Sequence, residues 1–136
     1  MSVEISWRQP RRVIYERFYD TVTIEELTSI QQTFLHYLTE GDAPVHSIID
    51  MAAVHSFPKS LNQIRQALTP DPTGKGGSVV IVTGGNPVLK FVTSMISQVL
   101  FRQAQFTFCA TLDEAVSYLR QRDPTVILER IDSSSL

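Results

Sequence analysis

Apolar and polar positions alternate at the start of the chain, with the sequence VEISW over Val3–Trp7. A period of two residues is typical of a half-buried strand. After a turn at Gln9-Pro10-Arg11, the β-forming sequence VIYERFY predicts a second strand over Val13–Tyr19. A turn this short joins antiparallel neighbours, so we expect an N-terminal hairpin.

Helix signals follow the hairpin. Thr23 and Glu26 form a capping box, the pairing in which the first residue caps the helix and the second bonds back to it. The apolar residues behind it recur every three or four positions, the stripe of an amphipathic helix, and Gly41 ends it. That stripe consists of Leu27, Ile30, Phe34 and Leu38.

Three further strands and three further helices alternate along the rest of the chain. The strands are predicted at Val45–Met51, Ser78–Thr83 and Ala104–Cys109. The middle one, SVVIVT, is apolar almost throughout, which favours a central parallel strand covered on both faces. The helices are predicted to begin at caps: Ser60 for a short helix, Asn86 for a helix over Pro87–Arg102, and Thr111 for a last helix ended by Asp123-Pro124.

This order predicts an α/β fold with a single mixed β-sheet, in which an N-terminal antiparallel hairpin precedes parallel strands, and about four helices. The first strand is expected at or near an edge of the sheet. Neither a repeat nor a linker interrupts the 136 residues, so we expect one domain with a frayed end at Asp132–Leu136.

Composition narrows the classes of partner. A net charge of −2 gives no general attraction to nucleic acid or to anionic lipid. The N-terminus lacks the apolar core of a signal peptide, and no segment approaches the roughly 20 apolar residues of a transmembrane span. We therefore expect a cytoplasmic protein. Its one cysteine, Cys109, lies in an apolar run and is expected to be a small buried residue.

The turn Gly84-Gly85-Asn86 joins the apolar strand to the start of a helix. Ligands of open α/β sheets favour that end of the strands, and free N–H groups at a helix start attract anions. The sequence TGGNP matches neither a Walker loop nor a dinucleotide fingerprint. Two interpretations stay open, a site for a small anionic ligand and a tight turn that needs glycine dihedrals.

No catalytic constellation, metal site or cofactor motif is identifiable. Asp50 ends a predicted strand without a second acid nearby, which favours a cap or turn acceptor. His36, His46 and His55 lie in separate elements and lack the spacing of metal ligands. The arginines at positions 8, 11 and 12 are expected to be solvated side chains at the turn of the hairpin.

The predicted helix over Pro87–Arg102 has an apolar arc close to half its circumference, wider than packing on one sheet face requires. Such width indicates deep burial or a partner. Phe91, Met95 and Leu100 are candidates for that partner surface. The partner could be a second copy in a homodimer, another protein or a lipid.

The segment IIDMAAVHSFPKSL, together with the order of elements, resembles the STAS family of anti-sigma-factor antagonists and sulfate-transporter tails. The shared pattern is a buried strand ending in Asp50, a hydrophobic residue at Val54 and a loop into a helix near Ser60. Family members carry Asp-Ser-Ser/Thr-Gly in this loop, where a kinase phosphorylates the hydroxyl. Here the stretch is Pro58-Lys59-Ser60-Leu61, so only Ser60 could be the phosphoacceptor, and it could equally be a helix cap.

The resemblance implies a non-enzymatic, STAS-like regulatory domain of bacteria that binds another protein. The alternative is a binding module for a small anionic or lipid-like ligand, because lipid-binding relatives share a similar fold. An enzyme is the least favoured class, since no nucleophile or acid–base pair can be named.

Overall fold

A computed structural model describes residues 2–67, 72–89 and 105–127 of the chain. Its elements, in chain order, are β1 (Val3–Gln9), β2 (Val13–Thr21), α1 (Ile24–Glu40), β3 (Val45–Ser56), α2 (Leu61–Ala67), β4 (Gly76–Val82), β5 (Gln105–Cys109) and α3 (Leu112–Arg122). Most of the helix predicted over Pro87–Arg102, including Phe91, Met95 and Leu100, lies outside the described residues, as does Asp132–Leu136. No helix in the described ranges is long and apolar enough to cross a membrane.

The five strands form one sheet in the order β1-β2-β3-β4-β5. β1 pairs antiparallel with β2 and lies at the edge, and every other neighbouring pair is parallel. The mixed sheet with an N-terminal hairpin is therefore confirmed. Because the strands follow one another across the sheet, α1 connects the parallel neighbours β2 and β3, and α2 connects β3 and β4.

The capping box of α1 is also confirmed. The Thr23 hydroxyl accepts the Glu26 N–H at 3.2 Å, and a Glu26 carboxylate oxygen accepts the Thr23 N–H at 3.3 Å. The other carboxylate oxygen accepts the N–H of Ser2 at 2.9 Å. One side chain thus starts the helix and fastens the beginning of β1 to it.

β3 is longer than the sequence indicated. The predicted end at Met51 is wrong, because the strand continues beside β2 to Ser56, with Tyr19 opposite Ala53 and Thr21 opposite Ser56. Pairing with β4 stops earlier, where Asp50 lies opposite Val82. Residues after Asp50 therefore have a strand neighbour on one side only, which opens a step at this end of the sheet.

Two hydrophobic cores lie on opposite faces of the sheet. Along β4, Val79 and Ile81 face the core beneath α1 and α2, while Val80 and Val82 face the core beneath α3. Ile81 is 1% exposed and Val80 is fully buried. β4 is thus covered on both faces, as its unbroken apolar sequence predicts.

A third cluster of buried side chains lies between the sheet and the C-terminal end of α1. Trp7 of β1 packs against Tyr37 of α1, with ring centroids 5.1 Å apart and planes inclined at 47°. Ile14, Leu38 and Val45 form the buried centre of this cluster. Tilted aromatic pairs of this kind stabilise by about 1 kcal/mol beyond their buried area.

Glu16 is a buried acidic residue on the largely apolar α1 side. It lies between Ile5 of β1 and Ile49 of β3 in register and is only 5% exposed. Burial raises the pKa of its carboxyl to about 8, since removing the ion from water disfavours the charged form. At neutral pH the side chain is therefore mostly protonated.

Replacing Ile81 by alanine should destabilise the protein by about 2–5 kcal/mol, because transfer energy is lost and a cavity remains between β4 and the core. Chemical denaturation measures the change. Ile127→Ala is the control: this isoleucine is 74% exposed, so its truncation should cost less than about 0.5 kcal/mol. A loss below about 1 kcal/mol for Ile81→Ala would contradict a doubly covered β4.

Glu16 should make stability fall as pH rises. The folded pKa lies above the unfolded one, so the stabilisation from the bound proton is complete below about pH 4.5 and is lost progressively towards pH 8. Glu16→Gln stays neutral, and at pH 8 it should exceed the wild type by on the order of 3 kcal/mol. Urea unfolding at pH 5 and pH 8 tests this, with Glu25→Gln on the exposed side of α1 as control. Parallel pH profiles for wild type and Glu16→Gln would contradict the prediction.

Candidate functional site

The carboxyl ends of β3, β4 and β5 meet at one edge of the sheet, which we call the carboxyl edge. The turn after β4 lies there, and both of its glycines have left-handed backbones, with φ of +61° at Gly84 and +72° at Gly85. Gly84 donates its N–H to the carbonyl of Ala110 at 2.9 Å. A Cβ at Gly84 would lie 2.5 Å from the Cβ of Ala52, so both the dihedral and the space require glycine.

Asn86 fastens this turn to the extended end of β3. Its side-chain amide nitrogen donates to the carbonyls of Ala52, at 3.1 Å, and Val54, at 2.6 Å. Its side-chain oxygen accepts the N–H of Val88 at 3.0 Å. The Asn86 side chain thereby donates hydrogen bonds to the part of β3 that β4 does not pair with. Both the nitrogen and the oxygen of its amide are used in hydrogen bonds within the fold.

The Asp50 side chain is also used in hydrogen bonds within the fold. One carboxylate oxygen accepts the Tyr15 hydroxyl at 2.8 Å and the other accepts the N–H of Ala52 at 3.1 Å. Burial, followed by the bond to Asp50, raises the pKa of Tyr15 above its usual range. Asp50 is thus a turn acceptor, the role that the sequence favoured.

The carboxyl edge carries negative charge. Glu114, in the first turn of α3, accepts the N–H of Ala110 at 3.0 Å, and the carbonyl of that same residue accepts the N–H of Gly84. Burial, together with the charges of Glu114 and Asp50, raises the pKa of Cys109 to about 11. The thiol is therefore protonated and a poor nucleophile at neutral pH, and the same carboxylates oppose an anion at the glycine turn.

Ser60 lies at the same edge, in the loop between β3 and α2. Its hydroxyl oxygen accepts the N–H of Gln63 at 3.3 Å, and its carbonyl accepts the N–H of Ile64 at 3.0 Å. The residue is exposed, as is Lys59 before it. Ser60 therefore makes the bonds of a helix cap with its hydroxyl at the surface, where a kinase could reach it.

Sequence reasoning missed a buried polar cluster at the opposite edge. The Nε2 of His46, a buried residue, lies 2.8 Å from a carboxylate oxygen of Asp123, and its Nδ1 accepts the N–H of Ser78 at 3.0 Å. Hydrogen bonds from Thr125 and His46 lower the pKa of Asp123. Because both ring nitrogens of His46 are used, this pair holds the chain after α3 against the sheet.

The described ranges contain no group of three or more His, Cys, Asp or Glu side chains that could hold a metal ion. His36 pairs instead with Glu40, one helical turn away, at 3.0 Å.

The arginines of the hairpin also differ from the solvated group that the sequence indicated. Arg11 forms a two-pronged bond to Asp42, and Arg12 reaches Asp123 at 3.3 Å. Arg8 instead stacks on the ring of Tyr15, 4.6 Å from its centroid. Cross-strand contacts of this kind depend on the register of the hairpin, which the residue types alone do not give.

Comparison with solved structures identifies the fold. The chain superposes on the unphosphorylated anti-sigma factor antagonist SpoIIAA with a TM-score of 0.59 and 12% identity, over 88% of this chain and 96% of that one. It also superposes on an uncharacterised DUF3478-family protein with a SpoIIAA-like fold from Shewanella loihica, with a TM-score of 0.56 and 18% identity, over 86% and 91% of the two chains. The STAS-like fold expected from the sequence is thus confirmed. No family model and no curated protein matches the sequence.

If Ser60 serves only as a cap, Ser60→Ala should cost about 1 kcal/mol of stability and Ser60→Asp should cost little, because Asp caps as well as Ser. Thermal or urea unfolding of the two variants measures this. Ser56→Ala, at an exposed position in the end of β3, is the control for losing a surface hydroxyl. Phosphate on Ser60, found by mass spectrometry of native material, would show that the residue is more than a cap.

Proposed function

We propose that this chain is a non-enzymatic regulatory domain of a bacterial cytoplasm that binds another protein through the carboxyl edge. The observation that carries the proposal is the internal occupation of the polar groups there. Hydrogen bonds within the fold use the side chains of Asp50, Asn86 and Glu114. The surface at this edge is therefore ordered, and it offers no set of free reactive groups among the described residues. Such a surface suits recognition better than catalysis.

The exposed side chains of this edge support the same proposal. Lys59 and Ser60 lie exposed before α2, and Val88, which follows the glycine turn, is 39% exposed. Exposed apolar and basic groups beside a rigid turn are ordinary components of a small protein interface. SpoIIAA, on which the chain superposes, is an anti-sigma factor antagonist and hence a regulatory protein. Its structure is that of the unphosphorylated form, which implies that a phosphorylated form exists.

The alternative, a module for a small anionic or lipid-like ligand, has less support at this edge. Asp50 and Glu114 lie beside the glycine turn and would repel an anion there. An open depression on α3 is also acidic; it is lined by Asp113, Glu114, Ser117, Tyr118 and Gln121. Self-association through the helix over Pro87–Arg102 stays a prediction.

Affinity capture from a lysate of the native host, followed by reconstitution with the purified partner, tests the proposal. A protein bound by the wild type should lose at least about tenfold in affinity for Lys59→Glu or Val88→Glu, since either change alters the centre of the proposed surface. Arg120→Glu is the matched control: it makes the same charge change at an exposed position of α3 and should bind as the wild type does. Capture of no specific protein, or equal binding by all variants, would contradict the proposal.

A further inference from the structure

The α3 side of the β1–β2 hairpin carries an unusual set of side chains. Along β1 and β2, the residues that alternate with the core positions are directed to this side: Glu4, Ser6, Arg8, Tyr15, Arg17 and Tyr19, which we call the hairpin face. α3 packs over β3, β4 and β5, so the hairpin face lies beside that helix. The face is continuous with the carboxyl edge, because the Tyr15 hydroxyl bonds to Asp50.

Two guanidinium groups on this face have no acidic partner in the described part of the chain. Arg8 lies over the ring of Tyr15 and Arg17 lies 4.9 Å from the ring centroid of Tyr19. Neither forms a hydrogen bond or an ion pair within the described ranges, although Glu4 is opposite Arg17 in register. The Nε of Arg8 is moreover buried without an acceptor.

Stacking prepares these groups to bind a carboxylate. A guanidinium held over an aromatic ring loses part of its freedom to move, and it keeps its N–H groups available for hydrogen bonds in its own plane. A carboxylate fits such a fork with two parallel hydrogen bonds. Asp50 does not fill this role, since its oxygens accept the Tyr15 hydroxyl and the N–H of Ala52 and neither arginine.

We propose that the hairpin face binds an acidic segment of a partner protein, whose carboxylates accept hydrogen bonds from Arg8 and Arg17 while the rings of Tyr15 and Tyr19 support the two guanidinium groups. The inference rests on the proposed function and names the chemistry of the partner. It extends the proposed interface from the carboxyl edge to the α3 side of β1 and β2.

Charge and symmetry favour this occupant over others. A nucleic-acid backbone would approach a chain of net charge −2 and pass the carboxylates of Asp50 and Glu114. A second copy would have to present its own acidic residues to this face, and such a pair closes into a dimer only if those residues lie beside the hairpin face of their own copy. A short carboxylate-bearing segment meets the same repulsion with fewer charges than a nucleic-acid backbone, and its flat carboxylates match the paired N–H groups of a guanidinium.

NMR titration of the ¹⁵N-labelled chain with an acetylated hexaglutamate peptide tests the proposal. The Nε–H signals of Arg8 and Arg17 and the amides of β1 and β2 should shift and saturate, while the Nε–H signals of Arg65 and Arg120 should not. Arg8→Gln and Arg17→Gln should each weaken binding by about tenfold. Arg65→Gln, at an exposed position of α2, should bind as the wild type does. If Arg8→Gln fails to fold, Arg17→Gln and the wild-type signals decide the matter.

Shifts spread over all exposed arginines, equal binding of hexalysine, or tighter binding of oligothymidine or phosphatidylserine vesicles would overturn the proposal. The proposed function can fail separately. If the captured partner depends on Lys59 and Val88 but binds Arg8→Gln and Arg17→Gln normally, the carboxyl edge is the interface and the hairpin face is not. If no partner is captured, the peptide titration still decides whether the hairpin face binds carboxylates.

Discussion

Parallel pairing of β3 with β2 on one side and β4 on the other holds both hydrophobic cores in place. β3 contributes Met51 and Val54 to the core beneath α1 and α2, and Ile48 to the core beneath α3. A slip of one residue would exchange the two faces, so packing on both sides fixes the register. The unequal lengths of β3 and β4 then create the step at the carboxyl edge, which Asn86 fills.

The two edges of the sheet are stabilised in different ways. At the opposite edge, His46 and Asp123 form a buried polar cluster that joins the start of β3 to the chain after α3, and the Gln9 side chain bonds to the backbone of Thr125 and Ile127. Breaking one partner of such a pair leaves a buried polar group without a bond, which is costly. The carboxyl edge relies on local turns whose outer atoms stay exposed. The carboxyl edge thus combines completed hydrogen bonds with exposed atoms, and the proposed interface rests on that combination.

Local signals predicted most of the fold. The caps at Thr23 and Thr111 and the apolar run of β4 each depend on neighbouring residues, so the sequence carries them directly. The far end of β3 was missed because Ala52 and Ala53 are weak β-formers that the strand holds only through β2. Glu16 had a signal, since it shares the face of Ile14 and Phe18 at a period of two. The His46–Asp123 pair had none, because 77 residues separate its members and only the docking of α3 brings them together.

The position of Trp7 determines what fluorescence can report about this protein. It is the one tryptophan of the chain, and it packs against Tyr37 on the α1 side of β1, whereas its neighbour Arg8 is directed to the other side of the sheet. The indole therefore senses whether α1 stays docked, and its emission is a sound monitor of unfolding. A molecule bound beside Arg8 would be separated from the indole by the thickness of the strand, so unchanged emission on mixing would be no sign of failed association. A fluorescent label on the Arg8 side of β1 would report binding there, which the Trp7 emission does not.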